Sequence, residues 1–295
     1  MKYKRIFSLY VFVCMVLSLS SPAWAKEEVT LELHKVSGNV YYLNGYGGNI
    51  GILRTGGNDG LLVVDSQFEE SAGEVLKKIA AVSAKEIKFL INTHYHGDHT
   101  GGNEIVGKNA VIIMHPNCKA SLSKSLKTKG IEKEYLSRVK PCSQGMTVKL
   151  GKETVRLLHF GPGHSAGDLV VIFENSKVIH TGDLFFHGTT PYIDVKDGSD
   201  TENWIRTIET LCEKYPDYKY IPGHGKVTNA KQFLRFAGYL KYLRKEVAAA
   251  VKAGKTREQT MKSIDVEAFR WLKDYPKFST KEKNIGWIYD EMTRE

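Results

Sequence analysis

The hydrophobic positions of this chain fall into short runs through most of its length. V-T-L-E-L (29–33), N-V-Y-Y-L (39–43), N-I-G-I-L-R (49–54) and G-L-L-V-V-D (60–65) are each five or six residues long and lie between turn signals. That size and β-branched character predict strands. Gly-Gly and then Asn-Asp-Gly separate the last two and predict a hairpin turn. Residues 69–82 carry a helical period, and K-F-L-I-N-T (88–93) reads as a short buried strand ending at His94. The grammar then repeats. T-V-R-L-L-H-F (154–160), D-L-V-V-I-F (168–173) and K-V-I-H-T (177–181) read as strands, T-E-N-W-I-R-T-I-E-T-L (201–211) as a helix, and Y-K-Y-I-P (218–222) as a strand ending just before His224.

Two β-rich halves, each with helices, predict an α+β fold in which two sheets pack face to face with helices outside. Residues 230–252 then form one long amphipathic helix, with Phe233, Phe236, Leu240, Leu243, Val247 and Val251 at three- and four-residue steps. Ala253-Gly254-Lys255 ends it. The tail that follows, with Trp271, Tyr275 and Trp287, reads as helical and aromatic. Residues 26–230 are expected to form the main domain and 231–295 a helical extension packed on it; the other reading of the tail is a border of the substrate pocket or a subunit contact.

The first 25 residues read differently. Lys2, Lys4 and Arg5 precede an apolar run, and S-P-A-W-A places Ala23 and Ala25 where a signal peptidase requires small residues. The run is shorter than the ~20 residues of a spanning helix, and V-F-V before Cys14 argues against a lipoprotein. The expectation is a cleaved signal peptide, an exported protein that is periplasmic or secreted, and no stable membrane insertion. Removing those three cations leaves 39 basic against 33 acidic residues. There is no dense Lys/Arg block with interleaved aromatics, so nucleic-acid binding is not expected; a basic rim could draw in anionic substrates. Three cysteines remain. An oxidising compartment permits a Cys118–Cys142 bridge, and Cys212 in I-R-T-I-E-T-L-C reads as a small buried apolar residue. No C-x-x-C pattern points to a structural zinc-thiolate site.

The chemistry concentrates at T-H-Y-H-G-D-H-T-G-G, residues 93–102. In extended chain, residues two apart point the same way, so His94 and His96 can grip one ion. Asp98 and His99 follow a glycine that lets the chain turn and aim them at a second point, and Gly97, Gly101 and Gly102 allow tight folding around a cluster. A catalytic metal needs several protein ligands and an open position. More candidates lie at other strand ends: His164 in G-P-G-H-S-A-G-D, Asp183 in H-T-G-D-L and His224 in I-P-G-H-G. Clustered histidine and carboxylate without thiolate suit a hydrolytic zinc, with iron or manganese as alternatives.

With these motifs in this order, residues 30–230 resemble the metallo-β-lactamase superfamily. That resemblance implies a four-layer αββα sandwich with metals at one edge. It implies two zinc ions, the first on His94, His96 and His164, the second on Asp98, His99 and His224, with Asp183 bridging. Asp65, in L-L-V-V-D-S, is expected to support a ligand from behind. One group of true β-lactamases in the superfamily has cysteine at the bridging position and another lacks the bridging aspartate. The set here looks instead like hydrolases of thioesters, lactones and phosphoesters. The contexts G-P-G-H-S-A-G-D-L-V-V and T-G-D-L-F-F-H-G-T-T-P-Y look closest to exported quinoprotein-relay or sulfur-oxidation-associated zinc metallohydrolases.

The expected activity is zinc-dependent hydrolysis of an ester, thioester, lactone or β-lactam by a hydroxide bridging the metals, whose water has its pKa lowered to ~7. Asp98 is the expected catalytic residue, orienting the nucleophile or carrying a proton to the leaving group. His187 and Tyr192 are expected to line the pocket of a small-molecule substrate. His34, His115, His159 and His180 are expected on the surface or in the core, the last two also as supports of ligands. Two alternatives stay open: a mononuclear iron enzyme that oxidises sulfur compounds, and a periplasmic partner-binding protein. Loops at 44–60, 116–145 and 186–200 are expected to shape the pocket. Oligomeric state is not legible.

Overall fold

A computed structural model describes residues 30–57 and 59–294. The expected signal segment, 1–25, lies outside the described residues. The first sheet has seven strands in chain order: β1 (Glu32–Ser37), β2 (Val40–Asn44), β3 (Ile50–Arg54), β4 (Leu61–Val64), β5 (Ile87–Ile91), β6 (Val111–Met114) and β7 (Lys140–Pro141). Strands β1 to β4 pair antiparallel and β4 to β7 parallel. The second sheet holds β8 (Met146–Leu150), β9 (Glu153–Leu158), β10 (Val170–Phe173), β11 (Val178–His180), β12 (Lys219–Ile221) and β13 (Thr228–Asn229). It is antiparallel except where β11 and β12 run side by side.

The sheets meet face to face with helices on both outer faces, which is the expected αββα sandwich. L-L-V-V of β4 shows why those runs are apolar throughout. Leu62 and Val64 face the space between the sheets, while Leu61 and Val63 face the helices α1 (Ala72–Val82) and α4 (Pro116–Thr128). In β10, Val171 and Phe173 point inward while Val170 and Ile172 meet the opposite helical layer. A strand covered on both faces needs two apolar sides, and each such fully buried side chain contributes about 1.5–3 kcal/mol.

Two short helices, α2 (Gly97–Thr100) and α3 (Asn103–Val106), follow β5. The second sheet is covered by α5 (Thr201–Lys214), α6 (Ala230–Lys252), α7 (Arg257–Ser263) and α8 (Lys281–Thr293). Asp200 and Asn229 cap α5 and α6 by accepting from the backbone N–H of Asn203 and Gln232. Helix α6 spans the limits its period predicts, and Ala250 is buried where Val251 is half-buried. Helix α8 seats Ile285 and Ile288 in the same core as Trp204, Phe236 and Leu240. Among the described residues no helix is long and apolar enough to cross a membrane.

One sequence expectation is corrected, and one question the sequence left open is answered. Residues 116–128 are a helix rather than a pocket loop. Pro116 opens α4 and the His115 side chain caps it by accepting from Asn117 N–H at 3.2 Å; the helix is hard to see in the sequence because only Cys118 and Leu122 are buried. The permitted disulfide is not formed. Cys118, Cys142 and Cys212 are free buried thiols, and Cys118 packs in the helix-side core while Cys142 packs between the sheets.

Candidate metal centre

The strand ends β5, β9, β11 and β12 open on one edge of the sandwich, and the loops after them carry the histidines and aspartates. Nε2 of His94 and Nε2 of His164 each lie 3.1 Å from Nδ1 of His96. Both also lie 3.6 Å from Oδ2 of Asp183. The three imidazole planes are nearly perpendicular to one another, at 84°, 90° and 80°, as rings do when aimed at one point. Ligands at ~2.0–2.1 Å from a tetrahedral cation stand about 3.3–3.4 Å apart, so this spacing suits a metal.

A second group faces Asp183 from the other side. Oδ1 of Asp183 is 3.1 Å from Nε2 of His99 and 3.4 Å from Nε2 of His224. Oδ2 of Asp98 is 3.3 Å from His224 and 3.7 Å from His99. His99 Nε2 and Asp183 Oδ1 are buried without a hydrogen-bond partner, and buried polar atoms are rarely left so. A divalent cation satisfies both, so the donor set fits the group that the motifs imply.

The back of four of the five imidazoles is tied down, leaving the other nitrogen bare toward the cluster. His164 Nδ1 donates to the Tyr192 carbonyl at 2.8 Å and His96 Nε2 to Asp194 at 2.9 Å. His99 Nδ1 donates to Asp65 Oδ2 at 2.8 Å. Thr93 gives its N–H and hydroxyl to Asp65 and stands 3.1 Å from His94 Nδ1. Partners of this kind fix tautomer and ring orientation. Asp65 holds its place with φ of 65°, a left-handed conformation unusual outside glycine.

Local backbone makes the close approach work. A Cβ on Gly48 would sit 2.3 Å from the His99 ring, and one on Gly223 would sit 1.9 Å from Asp183 Oδ1. Within the motif, Gly102 passes so near Ser66 that a Cβ would stand 2.3 Å from its carbonyl oxygen, and Gly101 is similarly crowded. Gly97 is not: a Cβ there meets nothing within 4 Å. Of the three expected spacers, only two are required by contact.

Electrostatics divide the two groups. Burial drives His94 well below the ordinary histidine range, with the neighbouring His99 adding to it, and burial takes His164 down to about 4. Burial also opposes charge on His99, yet Asp183, Asp98 and Asp65 outweigh it and hold that ring well above the usual value. The same contest, with Asp183 and Asp98, leaves His224 at about 9. Asp98 and Asp183 are held below the carboxylate range by the surrounding imidazoles despite burial.

The cluster opens to solvent at three side chains: His96, Asp98 and His224 are 19%, 21% and 28% exposed, while the other four ligand candidates are almost wholly buried. The Tyr192 ring stands edge-on to His96, with centroids 5.5 Å apart. His187 is bonded to the loop that carries His224. Its Nδ1 donates to the Lys226 carbonyl at 2.7 Å and its N–H to the His224 carbonyl at 2.9 Å, so it braces the His224 loop. His180 lies behind the site, donating to the Asn49 carbonyl and accepting from Gly182 N–H, one residue before Asp183. His159 stacks on His115 with centroids 3.9 Å apart. Sequence reasoning did not find Asp194, which also accepts from Tyr95 OH at 2.6 Å, or Asn49, whose amide holds the Pro222 and Gly225 carbonyls at 2.8 Å. The only signal for Asp194 is a carboxylate in the otherwise apolar P-Y-I-D.

The chain is similar to several known proteins. A carboxyl-ACP thioesterase for atrochrysone from Aspergillus fumigatus is 32% identical over 58% of this chain, which spans 36% of that relative's length. A type 2 metallo-beta-lactamase from Elizabethkingia meningoseptica is 25% identical over 68% of this chain and 82% of its own. Among solved structures, a metallo-beta-lactamase from Pontibacter korlensis superposes with a TM-score of 0.61 at 20% identity, over 72% of this chain and 99% of its own. The sec-alkylsulfatase Pisa1 from Pseudomonas sp. superposes at 0.70 and 15% identity, over 89% of this chain and half of its own. The sequence profile of the metallo-beta-lactamase superfamily matches residues 43–224. With more than half of its length inside that profile and a divalent-metal site at the sandwich edge, the chain belongs to the metallo-beta-lactamase superfamily.

Proposed function

We propose that this chain is an exported zinc hydrolase that holds two metals and cleaves an ester, thioester, lactone or β-lactam bond. One observation carries the reading: the two oxygens of Asp183 face two separate donor groups, Oδ2 toward His94 and His164, Oδ1 toward His99 and His224. His96 and Asp98 complete the two sets. Divalent cations held there supply Lewis acidity and a water whose pKa falls to ~7.

The chain's own groups set the rest. His96, Asp98 and His224 form the mouth, so the scissile group reaches the cluster between them. Asp98, open at the mouth, is placed to orient a water by accepting its hydrogen or to carry a proton to the leaving group. Tyr192 offers an aromatic edge at the mouth. The thioesterase and β-lactamase relatives support a carbonyl substrate, and the motif contexts around His164 and Asp183 support the exported, sulfur-oxidation-associated branch.

The test is the initial rate of purified residues 26–295, zinc-loaded and metal-stripped, on a chromogenic cephalosporin, a glutathione thioester, a lactone and a phosphodiester. A zinc-dependent rate on one of the carbonyl substrates is expected. Silence on all four, together with iron-dependent oxidation of a persulfide, would replace this reading with the mononuclear iron one.

A further inference from the structure

The family profile ends at residue 224, so the helical extension lies beyond it. The extension nonetheless reaches the metal edge through the loop that follows Asp183. Thr190 N–H donates to the Lys273 carbonyl at 3.0 Å, and Lys273 N–H donates to the Gly188 carbonyl at 2.9 Å. Asn284, on α8, donates to the Pro191 carbonyl at 2.7 Å and accepts from Tyr239 OH of α6 at 2.8 Å. These bonds fix the next residue, Tyr192, whose carbonyl accepts a hydrogen bond from His164 Nδ1 and whose ring borders His96. Trp287 of α8 meets the Tyr192 ring edge-on, with centroids 5.0 Å apart at 73°. Both rings are half-buried.

An aromatic surface, first Tyr192 and then Trp287, therefore leads away from one of the three ligand candidates open at the mouth. Half-buried aromatic side chains bordering a reactive centre are what small-molecule sites use to hold flat apolar groups. We propose that this surface is a wall of the substrate site, and that Trp287, contributed by the extension, selects substrates bearing an aryl or similarly flat apolar group next to the scissile bond. The inference rests on the hydrolase reading above for the reaction, and on these contacts for the selectivity.

The experiment compares the zinc-loaded full chain with Trp287→Ala and Trp287→Phe, checking metal content and melting temperature of each. Rates are taken on acetyl and phenylacetyl thioesters of glutathione, and on acetyl thioesters of glutathione and thiophenol. The parent is expected to prefer the aryl member of at least one pair. Trp287→Ala should lower that kcat/KM ratio by about tenfold, and Trp287→Phe should restore most of it. An unchanged ratio in Trp287→Ala overturns the inference while leaving the hydrolase reading intact. If the parent cleaves no thioester, the reaction class is what fails. Calorimetric binding of phenylacetate against acetate then decides the wall: a preference lost in Trp287→Ala supports it, and equal binding overturns it.

Discussion

In the half of the centre formed by His94, His96 and His164, imidazoles meet one another and two of the three are wholly buried. His94 and His164 are kept neutral there by burial. In the half formed by Asp98, His99 and His224, carboxylates surround the imidazoles and two of the three side chains touch solvent. The contrast teaches how one site can load two cations differently. Neutral imidazoles accept a cation without giving anything up. Imidazoles held protonated by carboxylates already carry positive charge, so a cation must displace protons. Asp183 belongs to both halves, and its substitution should erase the difference between them. Asp183→Ala should lose both metals and lower hydrolysis by roughly three orders of magnitude or more, with metal content by atomic absorption and the rate read on the same sample. Retention of two metals would refute the shared role.

Asp98→Ala should separate the halves. Its side chain lies at the mouth, 21% exposed, and its loss leaves the sandwich cores untouched. The expected outcome is a folded chain with one metal and no measurable turnover. Turnover as fast as the parent's would mean that the second half takes no part in the reaction.

The supports behind the ligands offer a gentler separation. Asp65→Asn keeps a residue that tolerates the left-handed backbone but removes the charge that receives His99 Nδ1. Metal affinity of the second half should fall about 10- to 100-fold and that of the first by less, through Thr93 behind His94, while Asp194→Asn should weaken chiefly the first half through His96. Stepwise zinc titration against a competing chelator reads both. Equal losses in both halves from either variant would show that the supports act through the whole edge.

These supports also mark where the sequence stops being legible. His94, His96, Asp98 and His99 announce themselves because they are adjacent, and the strands around them because burial on two faces makes the runs continuously apolar. Asp65 was reachable because it ends such a run. Asp194 was not: it meets His96 across 98 residues of chain, and only the folded loop brings them together. Helix α4 escaped for a different reason, since its outer face is polar almost throughout and its inner stripe is two residues wide. Gly48 and Gly223 were silent for a third: their importance lies in space that a neighbour occupies, and a sequence does not show neighbours.

A smaller effect follows from the charges. In the metal-free protein His224 has its value raised to about 9 from the ordinary ~6.5, so the stabilisation it gives is complete below ~6.5 and lost as pH rises through about 9. His164, lowered to about 4, instead costs stability as pH falls from ~6.5 toward about 4. Zinc affinity of the second half should therefore rise toward pH 9 by about tenfold per pH unit for each proton displaced from His99 and His224. Affinity of the first half should stay nearly flat across the same range. Calorimetric titrations at pH 6, 7 and 8 in buffers of different ionisation heat report both affinity and protons released; equal proton release by the two halves would contradict the contrast in their charge.

The smallest effect is expected inside the motif itself. Gly97 opens α2 between His96 and Asp98, the very point at which the chain turns from one half to the other. A position so placed invites the view that only glycine can occupy it. The geometry argues otherwise. Its φ is not among the positive ones, and an added Cβ meets nothing within 4 Å. Alanine also favours the helical conformation by about 0.8–1.0 kcal/mol in a helix interior, and by less at a first turn. Gly97→Ala should therefore leave both metals bound and change unfolding free energy by no more than about 0.5 kcal/mol. Gly48→Ala, 2.3 Å from the His99 ring, should cost the second metal while sparing the first. If Gly97→Ala also lost the second metal, the turn between the halves would depend on glycine itself and not on open space at its Cβ.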